Sequence, residues 1–204
     1  MEYKTISFGL KELEGRDSYR LMASLVTPRP IGWISTMGKD GSVNLAPFSF
    51  YNAVSGRPPT LLISLSPREG VEKDTLRNCR ETGEFAASVV DASLAEKMNE
   101  TARNCPYGVN EFELAGLTQA PSVEIKPPWV AEAKAAMEAK VTQIIPIEGS
   151  TSVMILGRVV HFHLREGLLK PDWTADTELL NPLGRLGRDY YTTLGRVFRM
   201  PQPD

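Results

Sequence analysis

The sequence predicts a mainly β fold with a few peripheral helices, formed by one domain spanning residues 1–204. The 15 prolines and 16 glycines are spread along the chain, which favours many short elements joined by turns over a helical bundle. Several strand-length segments are rich in β-branched and apolar residues. No internal repeat, low-complexity tract or linker interrupts this pattern.

The first predicted strands flank a hairpin turn. "PIGWISTM", residues 30–37, has the composition of a strand, and "GKDGSVN" supplies a turn in which Asp40 and Gly41 tolerate positive φ. Residues 44–55 continue in an extended conformation. Because Pro47 has no N–H to donate, we expect an edge position or a bulge there.

Three further strands and two helices are predicted. The strands are "PTLLISLS", "GEFAASVVD" and "SVMILGRVVHFHL". The first helix is "DTLRNCRETG", which starts with Asp and Thr and stops at Gly. The second is "SLAEKMNETA", with Ser93 as its N-cap and Glu96 in the capping-box position.

The segment "VAEAKAAMEAKVTQIIPI" carries mixed signals. It has strong helix formers from Ala131 to Lys140, but it ends in a β-branched run that Pro146 interrupts. Propensity alone predicts a helix there.

The charge balance excludes two classes of partner. The chain has 23 basic and 25 acidic residues, so its field is too weak to recruit nucleic acid or an anionic membrane by electrostatics alone. Its apolar runs have the length of strands and not of membrane spans. We therefore expect neither nucleic acid nor a membrane as a partner.

The cysteines and the N-terminal segment indicate a reduced, cytoplasmic setting. Cys79 and Cys105 have no CxxC spacing, and "MEYKTISFGLKELEG" lacks the apolar region of a secretory signal. Each cysteine is expected to be a small buried hydrophobic residue and not a nucleophile.

Common catalytic motifs are missing. There is no GxxxxGK[ST], GxGxxG, GxSxG or HExxH. His161 and His163 lie two residues apart, on one face of their predicted strand, and could supply two metal ligands. Because these are the only histidines and no carboxylate is apparent on that face, we expect no metal site.

A candidate anion site occurs at the start of the first predicted helix. The triplet Lys73-Asp74-Thr75 combines an ammonium, a hydroxyl and free backbone N–H groups at the positive end of a helix dipole. Simple N-capping by Asp74 or Thr75 is the alternative. Combined with the polar and aromatic residues of "WIST" and "NLAPFSF", however, the triplet suits a planar ring with a phosphate tail.

A series of motifs runs in one order from about Leu25 to the C-terminus. They are "TPRPIGWIST", "VNLAPFSFYNAVS", "KDTLRN", "TGEFAASVV", "NEFELAGLT", "MILGRVVHFH" and "NPLGRLGRDYY". Together they resemble the flavin reductase-like FMN-binding split barrels, which include flavoredoxin-type proteins. The resemblance implies an antiparallel Greek-key split barrel of about six strands, and it implies a strand from Met137 to Ile147 against helix propensity.

The resemblance also implies a set of FMN contacts. Around the isoalloxazine ring and ribityl chain it implies Arg29, Trp33, Ile34, Ser35, Thr36, Asn44, Ala46, Pro47, Ser49 and Phe50. Around the phosphate it implies Ser66, Arg68, Lys73, Asp74 and Thr75. The closing motif, similar to RLGGxxY, would bring Arg185 and Tyr191 towards the pocket, and His163 is a candidate catalytic residue. Arg188 stands where a second glycine is usual, which bears on the loop shape and ligand access.

Three functional hypotheses remain open at this point. The resemblance implies a homodimeric NAD(P)H:FMN oxidoreductase that takes electrons from NADH or NADPH and supplies reduced flavin to a monooxygenase or another redox partner. A flavoredoxin-like electron carrier with tightly bound FMN is the alternative. The third hypothesis is a barrel of this type with another cofactor or none.

Overall fold

The computed structural model describes residues 4–201. Within that range the helices are α1 (Asp17–Leu25), α2 (Asp74–Thr82), α3 (Ala95–Glu100), α4 (Glu111–Leu114) and α5 (Thr177–Leu180), and 3-10 turns occur at Leu10–Glu12 and Ala92–Leu94. The strands are β1 (Arg29–Pro30), β2 (Gly32–Met37), β3 (Val43–Phe48), β4 (Tyr51–Gly56), β5 (Pro59–Leu65), β6 (Glu84–Val89), β7 (Gln119–Ala120), β8 (Trp129–Val130), β9 (Ala135–Pro146), β10 (Val153–Leu164), β11 (Gly184–Arg185) and β12 (Tyr191–Thr192). No helix in the described part of the chain has both the length and the apolar character needed to cross a membrane.

Seven strands form one antiparallel sheet in the order β3-β2-β6-β9-β10-β5-β4. The two edge strands, β3 and β4, are separated in the chain only by Ser49 and Phe50. Three residue steps span at most about 11 Å, so the end of one edge must lie close to the start of the other. The sheet therefore curls into a barrel that is closed by the chain and not by a hydrogen-bonded ladder.

Side chains from six of these strands meet inside the barrel. The interior cluster includes Ile34, Phe48, Ile63, Phe85 and Ile155, and each of them is at most 7% exposed. The predicted antiparallel split barrel with few helices is confirmed.

A second core covers the outer face of β2, β3 and β6. Trp33 and Leu45 point away from the barrel and pack against Met98 of α3 and Phe112 of α4. Burial on both faces explains why β2 has no alternation of buried and exposed residues. α2 packs near the same strands, which brings its N-terminus beside β3.

Most sequence predictions of elements agree with the structure. Pro47 lies in the edge strand β3, where a missing N–H is tolerated. α2 ends at Gly83, whose φ of 71° is the left-handed conformation that favours glycine, and its N–H bonds the Cys79 carbonyl. The helix α1 and the small sheet β1-β11-β12 were not predicted.

The predicted N-cap of the second helix was wrong. Asp91 is the cap, and its carboxylate accepts hydrogen bonds from the Ser93 N–H at 2.8 Å and the Ser93 hydroxyl at 2.5 Å. A 3-10 turn at Ala92–Leu94 precedes α3, so the helical segment begins before Ser93. Glu96 is consequently in the first turn of α3 but not in a capping box.

The segment "VAEAKAAMEAKVTQIIPI" forms a long strand and not the helix that propensity predicts, as the resemblance implied. β9 runs from Ala135 to Pro146 and pairs with β6 on one side and β10 on the other. Its alanines suit this position, because Ala136 and Ala139 are fully packed between neighbouring elements. Pairing on two sides satisfies the backbone groups that a helix would have satisfied internally.

We predict that Gly157→Ala lowers the free energy of unfolding by about 1–3 kcal/mol, the usual range for overpacking a core. A Cβ at Gly157 would lie 2.5 Å from the Cζ of Phe85, which is fully buried. Gly56→Ala is the matched control, since its Cβ would meet no atom within 4 Å. Urea denaturation measures both, and equal stability of the two variants would contradict the packing argument.

Candidate functional site

Two adjoining grooves lie where the edge strands β3 and β4 meet. The helix groove, about 510 Å³, lies between the start of α2, strand β3 and residues 101–107. The barrel-end groove, about 590 Å³, lies between α1, residues 47–50 and residues 64–68. Pro47, Arg68 and Lys73 line both grooves, so the two form one continuous depression.

The helix groove is built on the N-terminus of α2. Lys73 is the N-cap residue, with an extended backbone and no side-chain cap, so the first N–H groups of the helix lack intrahelical acceptors. Burial lowers the pKa of the Lys73 ammonium, and the nearby Arg68 lowers it further. Arg77 and Arg103 also line this groove, but so do the acidic residues Glu69, Glu72, Asp74 and Glu111. Its positive character therefore comes from the N–H groups at the start of α2 and from Lys73, and not from an excess of basic side chains.

A buried hydrogen-bond network forms the floor of the helix groove. The Thr75 hydroxyl donates to Asn44 Oδ1 at 2.9 Å, and Asn44 Nδ2 donates to Glu111 Oε2 at 3.1 Å. The same Glu111 oxygen accepts the Leu45 N–H at 2.9 Å. This network fixes the orientation of the Asn44 amide. Burial raises the pKa of the Glu111 carboxyl above its usual value, although these hydrogen bonds oppose the shift.

The network extends inwards from α2 to β2. Asn78 Nδ2 donates to the Thr36 hydroxyl at 3.1 Å, and that hydroxyl lies 3.4 Å from Asn44 Oδ1. The side chains of Thr36 and Asn78 are both fully buried. Helix α2 is therefore attached to the sheet by polar contacts as well as by apolar packing.

An aromatic residue closes the outer side of the helix groove. The Tyr107 hydroxyl lies 3.2 Å from the Asp40 carboxylate in the β2–β3 turn. The Ser42 hydroxyl donates a hydrogen bond to the Tyr107 hydroxyl at 3.0 Å. The Arg77 guanidinium lies 4.2 Å from the centre of the Tyr107 ring. The loop that carries Tyr107 is thus attached to both the hairpin and α2.

The barrel-end groove has an aromatic wall and small polar residues. The rings of Tyr19 and Phe50 are 6.2 Å apart, and the Arg29 guanidinium lies 5.9 Å from the Phe50 ring. The hydroxyl groups of Ser66 and Ser152 are 2.6 Å apart at the mouth of the barrel.

Arg29 holds the end of α1 against the small sheet. It donates to the carbonyls of Ala23, Val26 and Leu186, the last two at 2.9 and 3.0 Å. Burial lowers its pKa, and Arg185, its partner residue across β1 and β11, lowers it further. Arg29 thus attaches the end of α1 to the small sheet, and it is buried and lines neither groove, contrary to the expectation that it contacts the flavin.

Arg185 and Tyr191 form a pair next to Arg29. The Arg185 guanidinium donates to the Tyr191 hydroxyl and to the Arg188 carbonyl, and it lies 4.4 Å from the Tyr191 ring centre. Neither residue lines the helix groove or the barrel-end groove. Arg188 has a φ of 53°, which a glycine would adopt without strain, and it lines a separate groove beside α1.

The structure does not bring the side chains of Trp33, Ile34, Ser35 and Thr36 to either groove wall. All four are at most 1% exposed. The Trp33 indole donates to the Thr101 hydroxyl at 2.8 Å, and Ile34 packs inside the barrel. Because β2 is covered on both faces, its alternating side chains enter two cores, contrary to the expectation that they contact a ligand.

His163 also lies away from the grooves. Val153, at the start of β10, pairs with Leu65, which lines the barrel-end groove. His163 is ten residues further along β10, roughly 30 Å at about 3.3 Å per residue. The geometry therefore gives it no contact with the groove of its own chain, contrary to its expected catalytic role.

Ten of the expected positions do line the two grooves. Around the helix groove they are Asn44, Ala46, Pro47, Arg68, Lys73, Asp74 and Thr75. Around the barrel-end groove they are Pro47, Ser49, Phe50, Ser66, Arg68 and Lys73. Four residues that line the grooves were not predicted: Tyr19, Arg77, Tyr107 and Glu111. Nothing in the neighbouring sequence indicates that the fold brings these side chains to a groove.

Known proteins share this architecture. Residues 22–193 match the model of the flavin reductase like domain. An uncharacterized protein of Aquifex aeolicus (strain VF5) is 41% identical over 187 residues, which cover 91% of this chain and 94% of that protein.

Two solved structures are similar over nearly the whole chain. Nitrilotriacetate monooxygenase component B from Bacillus cereus has a TM-score of 0.93 and 35% identity, covering 98% of this chain and 100% of that one. The 2-nitrobenzoate 2-nitroreductase NbaA from Pseudomonas fluorescens has a TM-score of 0.88 and 29% identity, covering 97% and 96%. The split barrel, the shared motifs and these matches lead to one conclusion: the chain belongs to the flavin reductase-like domain family.

Proposed function

We propose that this protein binds FMN in the two adjoining grooves and is an NAD(P)H:flavin oxidoreductase, with residues 1–204 acting as one domain. The observation that carries the proposal is that a groove at the N-terminus of α2 adjoins an aromatic groove, with Pro47, Arg68 and Lys73 lining both. Such a pair of sites matches a ligand with a flat ring at one end and a phosphate at the other. Each groove volume falls within the roughly 300–1,000 Å³ of ordinary ligand sites.

The phosphate fits the helix groove. The N–H groups of α2 and the Lys73 ammonium lie at the positive end of the helix dipole, and the Thr75 hydroxyl, which donates to Asn44 Oδ1, supports the helix start from below. A dianionic phosphate would compensate the burial that lowers the Lys73 pKa. Burial raises the pKa of the neighbouring Asp74 carboxyl, which disfavours a negative charge beside the phosphate.

The ring fits the barrel-end groove. Tyr19 and Phe50 offer apolar surface, while Ser49 and Ser66 offer hydroxyl groups at the edge. When bound, the flavin itself supplies the hydride and electron chemistry. The residues of this chain bind the phosphate, orient the ring and limit access of water, and none of them has to act as an acid or a base.

The nicotinamide donor and the partners are proposed from family membership. The similar protein from Bacillus cereus is a component of a monooxygenase, which supports a role for this chain in supplying reduced flavin to a monooxygenase. A homodimer is supported by exposed apolar side chains in both terminal segments, including Ile6, Leu10, Leu25, Tyr190, Phe198 and Met200. A cytoplasmic location is consistent with Cys79 and Cys105, which are both free.

We predict that Glu111→Ala lowers the free energy of unfolding by about 2–4 kcal/mol at neutral pH. Asn44 Nδ2 and the Leu45 N–H would lose their shared acceptor, and each unsatisfied buried donor costs about 1–3 kcal/mol. Glu111→Gln is the matched control, because one amide oxygen can accept both hydrogen bonds. Urea denaturation measures the free energy of unfolding of both variants. Equal losses would contradict the claim that the shared hydrogen-bond acceptor provides the stabilisation.

The same pair of variants gives a pH test. Because burial raises the folded pKa of Glu111, the native state holds its proton more tightly than the unfolded state does. The stabilisation from this group is full below the unfolded value near 4.5 and is lost as pH rises through the folded pKa. Glu111→Gln, which does not titrate, should lack this decline relative to the parent protein.

We predict that Lys73→Ala combined with Thr75→Ala weakens FMN binding by about 3 kcal/mol, roughly 100-fold, since a hydrogen bond to a charged group is worth about 1.5–3 kcal/mol. Riboflavin, which lacks the phosphate, should bind the parent and the double variant equally. Lys39→Ala, at an exposed lysine outside both grooves, is the control. Fluorescence titration measures each affinity, and an equal loss for both ligands would remove the phosphate assignment.

We predict that NADH or NADPH bleaches the oxidised-flavin absorbance of the FMN-loaded protein under anaerobic conditions. Dithionite serves as the control, because it reduces an accessible bound flavin whether or not a nicotinamide can. Rapid bleaching by dithionite, with none over many minutes in excess NADH and NADPH, would contradict the reductase function and favour the flavoredoxin-like carrier.

A further inference from the structure

The two histidines of the chain form a cluster with a buried carboxylate, away from both grooves. One ligand atom from each of Glu138, His161 and His163 can be chosen so that all three lie within 4.8 Å of one another. His161 is directly opposite Glu138 in the β9–β10 register. The expectation that no carboxylate shares the histidine face was wrong, because the carboxylate comes from the neighbouring strand, 25 residues away from His163 in the chain.

Glu138 is fully buried and firmly oriented. Its Oε1 accepts the Val123 N–H and its Oε2 accepts the Glu124 N–H, both at 2.7 Å. The same Oε1 lies 2.6 Å from His163 Nε2. A carboxylate oxygen can accept more than one contact, so lone-pair capacity remains on the side that faces the histidines.

The imidazole rings are also held in place. The Trp129 indole stacks on the His163 ring at 4.7 Å with an angle of 19°, and it donates to the Pro121 carbonyl at 3.2 Å. The His161 ring lies 4.7 Å from the His163 ring. Both histidines are half-buried, so the cluster faces solvent on one side.

We propose that Glu138, His161 and His163 bind a divalent transition-metal ion of the zinc type. Two imidazole nitrogens and one carboxylate oxygen are a donor set that Zn²⁺ uses, with water in the fourth position of a tetrahedral site. The hydrogen bonds from Val123 and Glu124 to the carboxylate orient it as outer-shell contacts orient metal ligands. The bound ion ties β10, through His161 and His163, to β9 and, through Glu138, to residues Val123 and Glu124.

Metal binding requires small rearrangements of the histidine side chains, because the three ligand atoms lie within 4.8 Å of one another. Zinc bonds of about 2.0–2.2 Å in a tetrahedral geometry separate two ligand atoms by roughly 3.3 Å. His163 Nε2 and Glu138 Oε1 are 2.6 Å apart, so the imidazole must move away by less than about 1 Å as the ion replaces the shared proton. His163, which is 14% exposed, can make that movement by sliding along the face of Trp129, whereas fully buried Glu138 stays in place.

The test is a zinc titration of the full-length, untagged protein after removal of metals with a chelator. Calorimetry should give one Zn²⁺ per chain, and the imidazole NMR signals should both shift, since the chain contains only two histidines. His161→Ala should weaken binding by more than about 100-fold, because loss of an outer-shell partner alone typically costs 10–100-fold. Saturating Zn²⁺ should raise the melting temperature of the parent protein but not of this variant.

Two further variants separate this site from other sources of binding. Cys105→Ser removes a half-buried thiol outside the cluster and should leave zinc affinity unchanged. Glu138→Gln should lower the affinity as His161→Ala does, and the His161 variant stands alone if the glutamine variant does not fold. No zinc binding, unshifted imidazole signals, or equal affinity in the parent and His161→Ala would each overturn the proposal. The flavin titrations are independent of these measurements, because the cluster lies outside both grooves.

Discussion

The passage of the chain from β3 to β4 through Ser49 and Phe50 is the constraint on which the rest of the structure depends. These strands are the two edges of a seven-stranded sheet, and a two-residue connection forces them together. The barrel is closed covalently at this point, but its edges are not joined by a ladder. The opening that results is flanked by both grooves, and Pro47 at the edge can line them without leaving an interior N–H unpaired.

Charged and polar groups around this opening are held in place by the buried contacts of α2 and β3. The start of α2 brings free N–H groups and Lys73 to the same place as Arg68, so the positive groups meet at this one point although the rest of the groove lining also holds acidic side chains. Beneath it, Asn44 donates a hydrogen bond to Glu111, so these two side chains pair with each other at the floor of the groove. The buried polar network therefore gives the groove a fixed floor, and the cations remain available for an anion.

Strand pairing produces the second polar cluster by a different route. Glu138 enters a fully buried position on β9, where backbone N–H groups of residues 123 and 124 compensate its charge. Antiparallel pairing then places His161 opposite it and His163 within hydrogen-bonding distance. One sheet thus carries a cationic groove where its edges meet and a histidine–carboxylate cluster at the far end of β10.

The sequence by itself determined the local elements and the helix start that is the candidate anion site. β-branched segments, turn residues and the Gly83 stop depend on neighbouring residues, so β5, β6, β10 and α2 could be predicted directly. Asn44, Lys73 and Thr75 were found for the same reason, since they lie in short motifs. The tertiary structure decided the rest: pairing on both sides turned the helix-forming residues before Lys140 into β9, and double coverage of β2 took Trp33 into a core. The tertiary structure also places His163 away from the grooves and beside Glu138. Contacts between segments distant in the chain cannot be predicted from a local sequence pattern.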